Sequence, residues 1–136
     1  MNGKPVSILI ADDDQDDIDL IEEALLAIDP MARLHKFNNG LSAYEYLSSR
    51  ADGDLPCLII LDYNMPQLNG AQVLSSISID SRYTPVPKVV LSTSNAALYR
   101  HESMINGATE YFEKPRSMAD LHSLAKKLIA FCRISS

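Results

Sequence analysis

Short apolar runs alternate with stretches of helical periodicity along this chain, and this alternation limits the fold more than any other feature. The candidate strands are residues 6–11, 32–37, 57–61, 88–91 and 109–113. Short apolar runs bounded by turn residues are typical of strands buried on both faces. An amphipathic stretch follows each run, so the sequence predicts an α/β fold: a doubly wound, five-stranded parallel sheet with five helices.

Capping residues and apolar stripes predict where the helices lie. Asp14 is placed to cap the first helix, with Asp16 and Asp17 in its first turn, where the helix dipole favours acidic groups. The fourth helix is predicted to end at Asn106-Gly107. The predicted apolar positions, helix by helix, are Ile18, Ile21, Leu25 and Ile28; Leu41, Tyr44 and Leu47; Val73, Leu74 and Ile77; Leu98, Met104 and Ile105; Leu121, Leu124, Leu128 and Ile129.

Length and charge narrow the class of protein. The 136 residues suit one domain, which we place at residues 4–133, with no output domain. A formal net charge of −6 argues against nucleic acid or an anionic membrane as a direct partner. No apolar stretch approaches the roughly 20 residues of a membrane span, and the amino terminus does not resemble a signal peptide. We therefore expect a cytoplasmic protein.

The two cysteines are far apart in the sequence and lack metal-ligand spacing. Cys57 opens an apolar strand and Cys132 falls on an apolar helix face. Both are expected to be buried free thiols in a reducing cytosol.

Polar residues follow the apolar runs at four strand ends. Asp12 and Asp13 follow the first strand, Asp62 the third, Ser92 the fourth and Lys114 the fifth. In doubly wound sheets these ends converge at one edge, where ligands bind. Clustered carboxylates repel one another unless a cation lies among them, and carboxylates with a carbonyl and waters are ligands that Mg²⁺ prefers. The sequence therefore predicts a magnesium site with a lysine able to contact a phosphoryl group.

These residues together resemble the receiver domain of two-component response regulators, in particular the single-domain chemotaxis regulator. The resemblance covers about residues 4–133. It depends on the acidic pair Asp12-Asp13, on Asp62 within the pattern Asp-x-Asn-Met-Pro-x-x-Asn-Gly, and on Ser92, Tyr111 and Lys114-Pro115. It implies a flavodoxin-like sheet of strand order 2-1-3-4-5.

The resemblance also implies a role for each matching residue. Asp62 would be the phosphoacceptor, and Mg²⁺ would bind Asp13, Asp62 and the backbone carbonyl of Asn64, with Asp12 helping through water. Lys114 would contact the phosphoryl group. Ser92 would bond to it after transfer, and Tyr111 would be the aromatic switch. The Lys114-Pro115 peptide bond would be one that is often cis.

The implied partners are proteins. A sensor histidine kinase or a histidine phosphotransfer protein would supply the phosphoryl group, and an unidentified downstream protein would read the result. The readout surface would include Leu98, Tyr99, His101, Glu102, Tyr111, Glu113 and Arg116, with a possible homodimer through the fourth helix. The run 89–94 and its approach 84–87 also resemble small regulators paired with bacterial phytochromes. The protein would not be an enzyme beyond its own phosphorylation and dephosphorylation.

Other functions remain open on sequence alone. Asp12, Asp14, Asp16 and Glu23 match positions of a calcium-binding EF-hand loop, but Asp17 stands where that loop needs glycine. A metal-dependent phosphatase would also use a nucleophilic aspartate, although such enzymes place it in Asp-x-Asp after the first strand. A receiver that is not phosphorylated and acts as a scaffold is a third possibility, and a phosphorelay intermediate is an alternative to a terminal effector.

Overall fold

The chain folds as a five-stranded parallel sheet between two layers of helices. The structure, a computed structural model, describes residues 6–94 and 96–135, so the predicted domain start at residue 4 lies outside the described residues. The strands are β1 (Ser7–Ala11), β2 (Arg33–Phe37), β3 (Leu58–Asp62), β4 (Lys88–Ser92) and β5 (Glu110–Glu113). The helices are α1 (Gln15–Ile28), α2 (Gly40–Ser48), α3 (Gly70–Ile77), α4 (Ala97–Ile105) and α5 (Met118–Ser135).

The strand order is β2-β1-β3-β4-β5, as the resemblance implies, and every neighbouring pair is parallel, as the alternation of strands and helices predicts. The register places Asp62 opposite Leu91 and Ser92 opposite Glu113. Successive strand ends are therefore level, so the residues that follow β1, β3, β4 and β5 gather at one carboxyl edge.

Side-chain caps fix the helix starts that face this edge. The Asp14 carboxylate accepts hydrogen bonds from the backbone N–H groups of Asp16 and Asp17, which confirms it as the cap of α1. Asn69 and Gln72 form a capping box at the start of α3. These caps hold the loops that carry the acidic residues against fixed helix ends.

Two buried clusters cover the two faces of the sheet. The first, which we call the aliphatic face, packs α1 and α5 against β1, β3 and β4 through isoleucine, leucine, valine and alanine side chains. The second, the aromatic face, packs α2 and α3 on the other side. All six tyrosines belong to it or pack against it: Tyr44, Tyr46, Tyr63, Tyr83, Tyr99 and Tyr111.

The cysteines form a disulfide, so the expectation of two free thiols was wrong. Cys57 precedes β3 at the amino edge of the sheet, and Cys132 lies on α5; their Cα atoms are 5.0 Å apart. Residues 75 positions apart in sequence are brought together because α5 runs back along the strands it covers. Sequence spacing carries no signal for a pairing that depends on this packing.

Helix α4 differs from the other helices because its large apolar side chains lie outside the core. Leu98 is 68% exposed and Ile105 67% exposed, and the buried residue of this helix is Ser103. The Ser103 hydroxyl donates to the Tyr99 carbonyl, so this serine is buried without an unmet polar group. Within the described part of the chain, no helix combines the length and the apolar character needed to cross a membrane.

Candidate functional site at the carboxyl edge of the sheet

Three aspartates gather where the first and third strands end. Carboxylate oxygens of Asp12, Asp13 and Asp62 all lie within 4.8 Å of one another. Asp12 and Asp62 are 1% and 5% exposed, whereas Asp13 faces solvent. Both oxygens of Asp12 have partners: Oδ1 accepts from the Asp14 N–H at 2.9 Å and Oδ2 contacts Lys114 at 2.9 Å.

Burial and neighbouring charges shift the pKa values of the two buried carboxylates. Burial raises the pKa of Asp62 to about 7, and the negative charge of Asp12 adds to this effect, while Lys114 opposes it. Burial also raises the pKa of Asp12, against hydrogen bonds from Asp14 and Lys114 that lower it. A cation at this edge would favour the ionised forms of both groups.

Lys114 is the counter-ion at this edge of the sheet. Its Nζ lies 2.7 Å from Asp17, 2.9 Å from Asp12 and 3.5 Å from Asp62, and its side chain is 11% exposed. Burial alone would lower the pKa of Lys114, but the hydrogen bonds with Asp17 and Asp12 and the charge of Asp62 outweigh it and raise the pKa. The lysine therefore stays protonated at neutral pH.

The loop between β3 and α3 is held close to Asp62 by two glycines. A Cβ on Gly70 would lie 2.8 Å from the Asp62 backbone oxygen, and one on Gly40 would lie 2.0 Å from the Leu68 oxygen. Both positions therefore require glycine. Gln67, in the same loop, has a φ of 70°. The Asn64 backbone N–H bonds to the Asp62 carboxylate and lowers its pKa.

Ser92 and Tyr111 are both buried on the β4–β5 side of this edge. The Ser92 Oγ accepts from the Ser94 N–H at 3.1 Å, and its carbonyl accepts from the Lys114 N–H at 2.7 Å. The Tyr111 ring is 2% exposed and points inward, with its hydroxyl donating to the Ser94 carbonyl at 2.6 Å. Ser92 and Tyr111 are thus linked through Ser94, because both side chains form hydrogen bonds with its backbone.

Two residues of the site escaped sequence reasoning. Asp17 was identified only as a favourable residue of the first helix turn, yet it contacts Lys114 from a position 97 residues away. Tyr63, next to Asp62, stacks on Tyr99 with ring centroids 4.2 Å apart, and its hydroxyl donates to the Glu102 carboxylate. Burial and this carboxylate raise the pKa of Tyr63 to about 12. The sequence feature that could have identified Tyr63 is its position directly after an aspartate at a strand end.

The donor set fits a hard divalent cation. Asp12, Asp17 and Asp62 share one ammonium group. Asp12, Asp13 and Asp62, whose carboxylate oxygens lie within 4.8 Å of one another, offer the oxygen ligands that Mg²⁺ takes. Burial and the charges of Asp12 and Asp13 raise the pKa of Asp62, whereas Lys114 lowers it, so the carboxylates still repel one another with the lysine in place. The EF-hand interpretation does not fit, because residues 7–11 form a strand rather than a helix and Asp14 is used as a cap.

The structure thus brings Asp12, Asp13, Asp62 and Lys114 into one cluster and places Ser92 and Tyr111 beside it. One implied feature differs: no peptide bond in the described residues is cis, so Lys114-Pro115 is trans. Trans is the form that most bonds before proline adopt.

Comparison with known proteins agrees with the resemblance. The family described as "Response regulator receiver domain" matches residues 8–126. The curated "Response regulator Rcp1" of Synechocystis sp. is 29% identical over 136 residues, covering 96% of this chain and 90% of that protein. "Two-component response regulator ARR15" of Arabidopsis thaliana is 34% identical, covering 90% of this chain and 61% of that protein.

Solved structures give the same picture. The phosphorylated cyanobacterial phytochrome response regulator RcpA superposes with a TM-score of 0.86 at 28% identity, covering 98% of this chain and 97% of that one. The Mn²⁺-bound form of Rcp1 has a TM-score of 0.80. The chain spans 90% of the length of Rcp1, 61% of that of ARR15 and 10% of that of a histidine kinase that it also matches.

Proposed function

We propose a function from an established premise: the chain belongs to the family of response regulator receiver domains of two-component systems. The proposal is that Asp62 accepts a phosphoryl group in a Mg²⁺-dependent reaction and that the change alters binding to another protein. The observation that carries it is the placement of Asp62, 5% exposed, among Asp12, Asp13 and Lys114 at the carboxyl edge of the sheet.

The transfer step needs no proton from Asp62 once it is ionised. A carboxylate oxygen of Asp62 forms a bond to phosphorus, the bond from phosphorus to the donor nitrogen breaks, and the electron pair leaves with the imidazole. An anionic donor must then approach a negatively charged edge. Lys114 is placed to neutralise part of this charge, and Mg²⁺, when bound by Asp13, Asp62 and the Asn64 carbonyl with help from Asp12, would neutralise the rest.

The readout is proposed to pass through Ser92 and Tyr111. A phosphoryl group on Asp62 offers oxygens to the Ser92 hydroxyl, which here accepts from the Ser94 N–H. Tyr111 bonds to the Ser94 carbonyl, so movement of this short segment would change the environment of its ring. Helix α4, whose Arg100 lies over the Tyr111 ring, exposes Leu98 and Ile105 as apolar surface for a partner.

The donor is proposed to be a histidine kinase or a histidine phosphotransfer protein. Similarity to RcpA and Rcp1 supports a kinase of the phytochrome type as the first one to test, since RcpA is described as a phytochrome response regulator. Return of the phosphoryl group to a histidine would identify a relay intermediate. Tighter binding of an unrelated protein after phosphorylation would identify an effector.

The test is incubation with acetyl phosphate and Mg²⁺, followed by intact-mass measurement. Wild-type protein should gain the mass of one phosphoryl group, and Asp62→Asn should gain none. A chelator should abolish the gain in the wild type. The same gain in Asp62→Asn would refute Asp62 as the acceptor, and repeated turnover of a phosphate monoester would favour the phosphatase alternative.

A second variant tests the switch. Tyr111→Ala should still be phosphorylated at the wild-type rate but should lose the difference in partner binding between the two states. Coupling that is unchanged in this variant would show that Tyr111 is not the switch.

A further inference from the structure

Lys114 makes unequal contacts with the three carboxylates around it. Its ammonium group carries three donors, and two of them make short contacts, with Asp17 Oδ2 at 2.7 Å and Asp12 Oδ2 at 2.9 Å. The 3.5 Å separation from Asp62 Oδ1 is outside the range of an ordinary hydrogen bond. In this structure Lys114 is therefore committed to Asp17 and Asp12 rather than to Asp62.

Asp17 is held in place by its own helix. It lies in the first turn of α1, where its backbone N–H donates to the capping carboxylate of Asp14. Its side chain is 30% exposed, whereas that of Lys114 is 11% exposed, so the contact is only partly open to solvent. A charge-assisted bond at this distance, shielded on the lysine side, holds the ammonium toward α1.

We propose that Asp17 is a positioning residue that retains Lys114 away from Asp62 until a phosphoryl donor arrives. This inference rests on the proposed function of Asp62. To contact a phosphoryl oxygen beside Asp62, the ammonium must move toward Asp62 and give up its 2.7 Å contact with Asp17, while it keeps Asp12. Asp17 forms and breaks no covalent bond. It sets how often Lys114 is free to meet the donor.

This role makes a kinetic prediction that separates binding from chemistry. If Lys114 must leave Asp17 before the donor binds, the apparent affinity for the donor is the intrinsic affinity multiplied by the fraction of time that Lys114 is free. Removal of the Asp17 charge should therefore lower the acetyl phosphate concentration at half-maximal rate. The maximal rate should stay unchanged, because Lys114 has already left Asp17 in the donor complex.

The experiment measures initial phosphorylation rates of Asp17→Asn against acetyl phosphate concentration at constant Mg²⁺ and about 0.15 M salt. The half-maximal concentration should fall about three- to tenfold. Asp17→Glu, which restores the carboxylate, should lie close to wild type. Asp16→Asn is the matched control: it removes the same charge from the same turn, but Asp16 faces solvent and is not among the partners of Lys114.

The outcomes separate the inference from its premise. An unchanged or higher half-maximal concentration in Asp17→Asn overturns the inference, and so does an equal fall in Asp16→Asn, which would mean general charge rather than the contact. Urea unfolding of each variant checks that the fold is retained, and Asp17→Ala, which also removes the carboxylate, provides the same test if Asp17→Asn is unfolded. Absence of phosphorylation in the wild type would overturn the proposed function, whereas a phosphorylated wild type with no Asp17 effect overturns this inference alone.

Discussion

The two faces of the sheet bury side chains of different chemistry. The aliphatic face packs α1 and α5 through branched and straight hydrocarbon side chains and is cross-linked by the Cys57–Cys132 disulfide. The aromatic face packs tyrosine rings, and the hydroxyls of Tyr63, Tyr83 and Tyr111 donate to backbone or carboxylate oxygens. This face also carries the buried cation Lys88. Hydrocarbon contacts stabilise without direction, whereas hydroxyl bonds hold particular segments in particular places.

The difference indicates that the two faces have different roles. Asp62 and its neighbours lie at the edge shared by both faces. On the aromatic side, Tyr63 connects this edge to α4 through Glu102, and Tyr111 bonds to Ser94 in the loop that precedes α4. Helix α4 buries Ser103 and exposes Leu98 and Ile105. We therefore expect the aliphatic face to determine global stability and the aromatic face to determine local motion near the site.

The disulfide offers the largest test of this comparison. Closing a loop between residues 75 positions apart restricts the unfolded chain and should stabilise the fold by up to about 4 kcal/mol. The Cys57→Ala/Cys132→Ala double variant, and wild type in reductant, should therefore unfold at lower urea concentration. Phosphorylation below the midpoint should be unchanged, since the cross-link lies at the opposite edge from Asp62.

The double variant is also the control, because its own midpoint should not respond to reductant. Equal midpoints for oxidised and reduced wild type, or alkylation of two thiols without reduction, would contradict a stabilising cross-link.

The disulfide and the buried residue of α4 are two features that the sequence did not predict. Strand bounds were predicted within one residue, and the start of α1 after Asp14 and the end of α4 at Asn106 were predicted correctly, because apolar runs and caps are local signals. The apolar residues of α4 were predicted at helical spacing, but the residue that enters the core is Ser103. A buried serine that bonds to its own helix has no signature in hydrophobic periodicity.

The sequence predicted which residues at the strand ends form the site, but it did not predict all of the contacts among their side chains. Parallel strands bring Asp12, Asp13, Asp62 and Lys114 to one edge whatever the details of packing. The contact of Asp17 with Lys114 instead depends on how α1 lies beside the end of β5, which distant residues decide. On sequence alone, the helix dipole was reason enough for an acidic residue at Asp17, so no further contact was predicted for it.

The Tyr83 hydroxyl gives the next largest expected effect, now on the aromatic face. Tyr83 is 1% exposed, and its hydroxyl donates to the Leu47 carbonyl at 2.5 Å, which ties the approach to β4 to the end of α2. Tyr83→Phe removes this bond and leaves the carbonyl with the longer one from the Arg50 N–H at 3.4 Å, so it should cost about 1 kcal/mol in urea unfolding. Tyr44→Phe is the control, since the Tyr44 hydroxyl makes no hydrogen bond to another described residue.

A Tyr83→Phe cost no greater than that of Tyr44→Phe would mean that the aromatic face acts through ring area alone. The proposed directional role of its hydroxyls would then fail.

Tyr63→Phe should have a smaller global effect and a larger local one. The ring stack on Tyr99 is retained, but the bond to Glu102 is lost, and this bond links the residue after Asp62 to α4. Because α4 exposes most of its apolar side chains, it can open without unfolding the sheet. We expect a loss below about 1 kcal/mol in global stability and faster amide exchange confined to α4. Faster exchange spread equally over α1 and α5 would contradict the division between the two faces.

Lys88 gives the smallest expected effect and one that depends on pH. It is 8% exposed, its Nζ donates to the carbonyls of Tyr83 and Val86, and burial lowers its pKa from 10.5. Between its lowered folded pKa and 10.5, the unfolded chain binds more protons at this site than the folded chain, so stability should rise with pH across that interval. Lys88→Met removes the titration, and the wild-type stability measured relative to this variant should therefore improve as pH increases toward 10.5. A relative stability that stays flat would mean that the two carbonyl contacts compensate for burial of the charge. The aromatic face would then hold its cation without loss of stability.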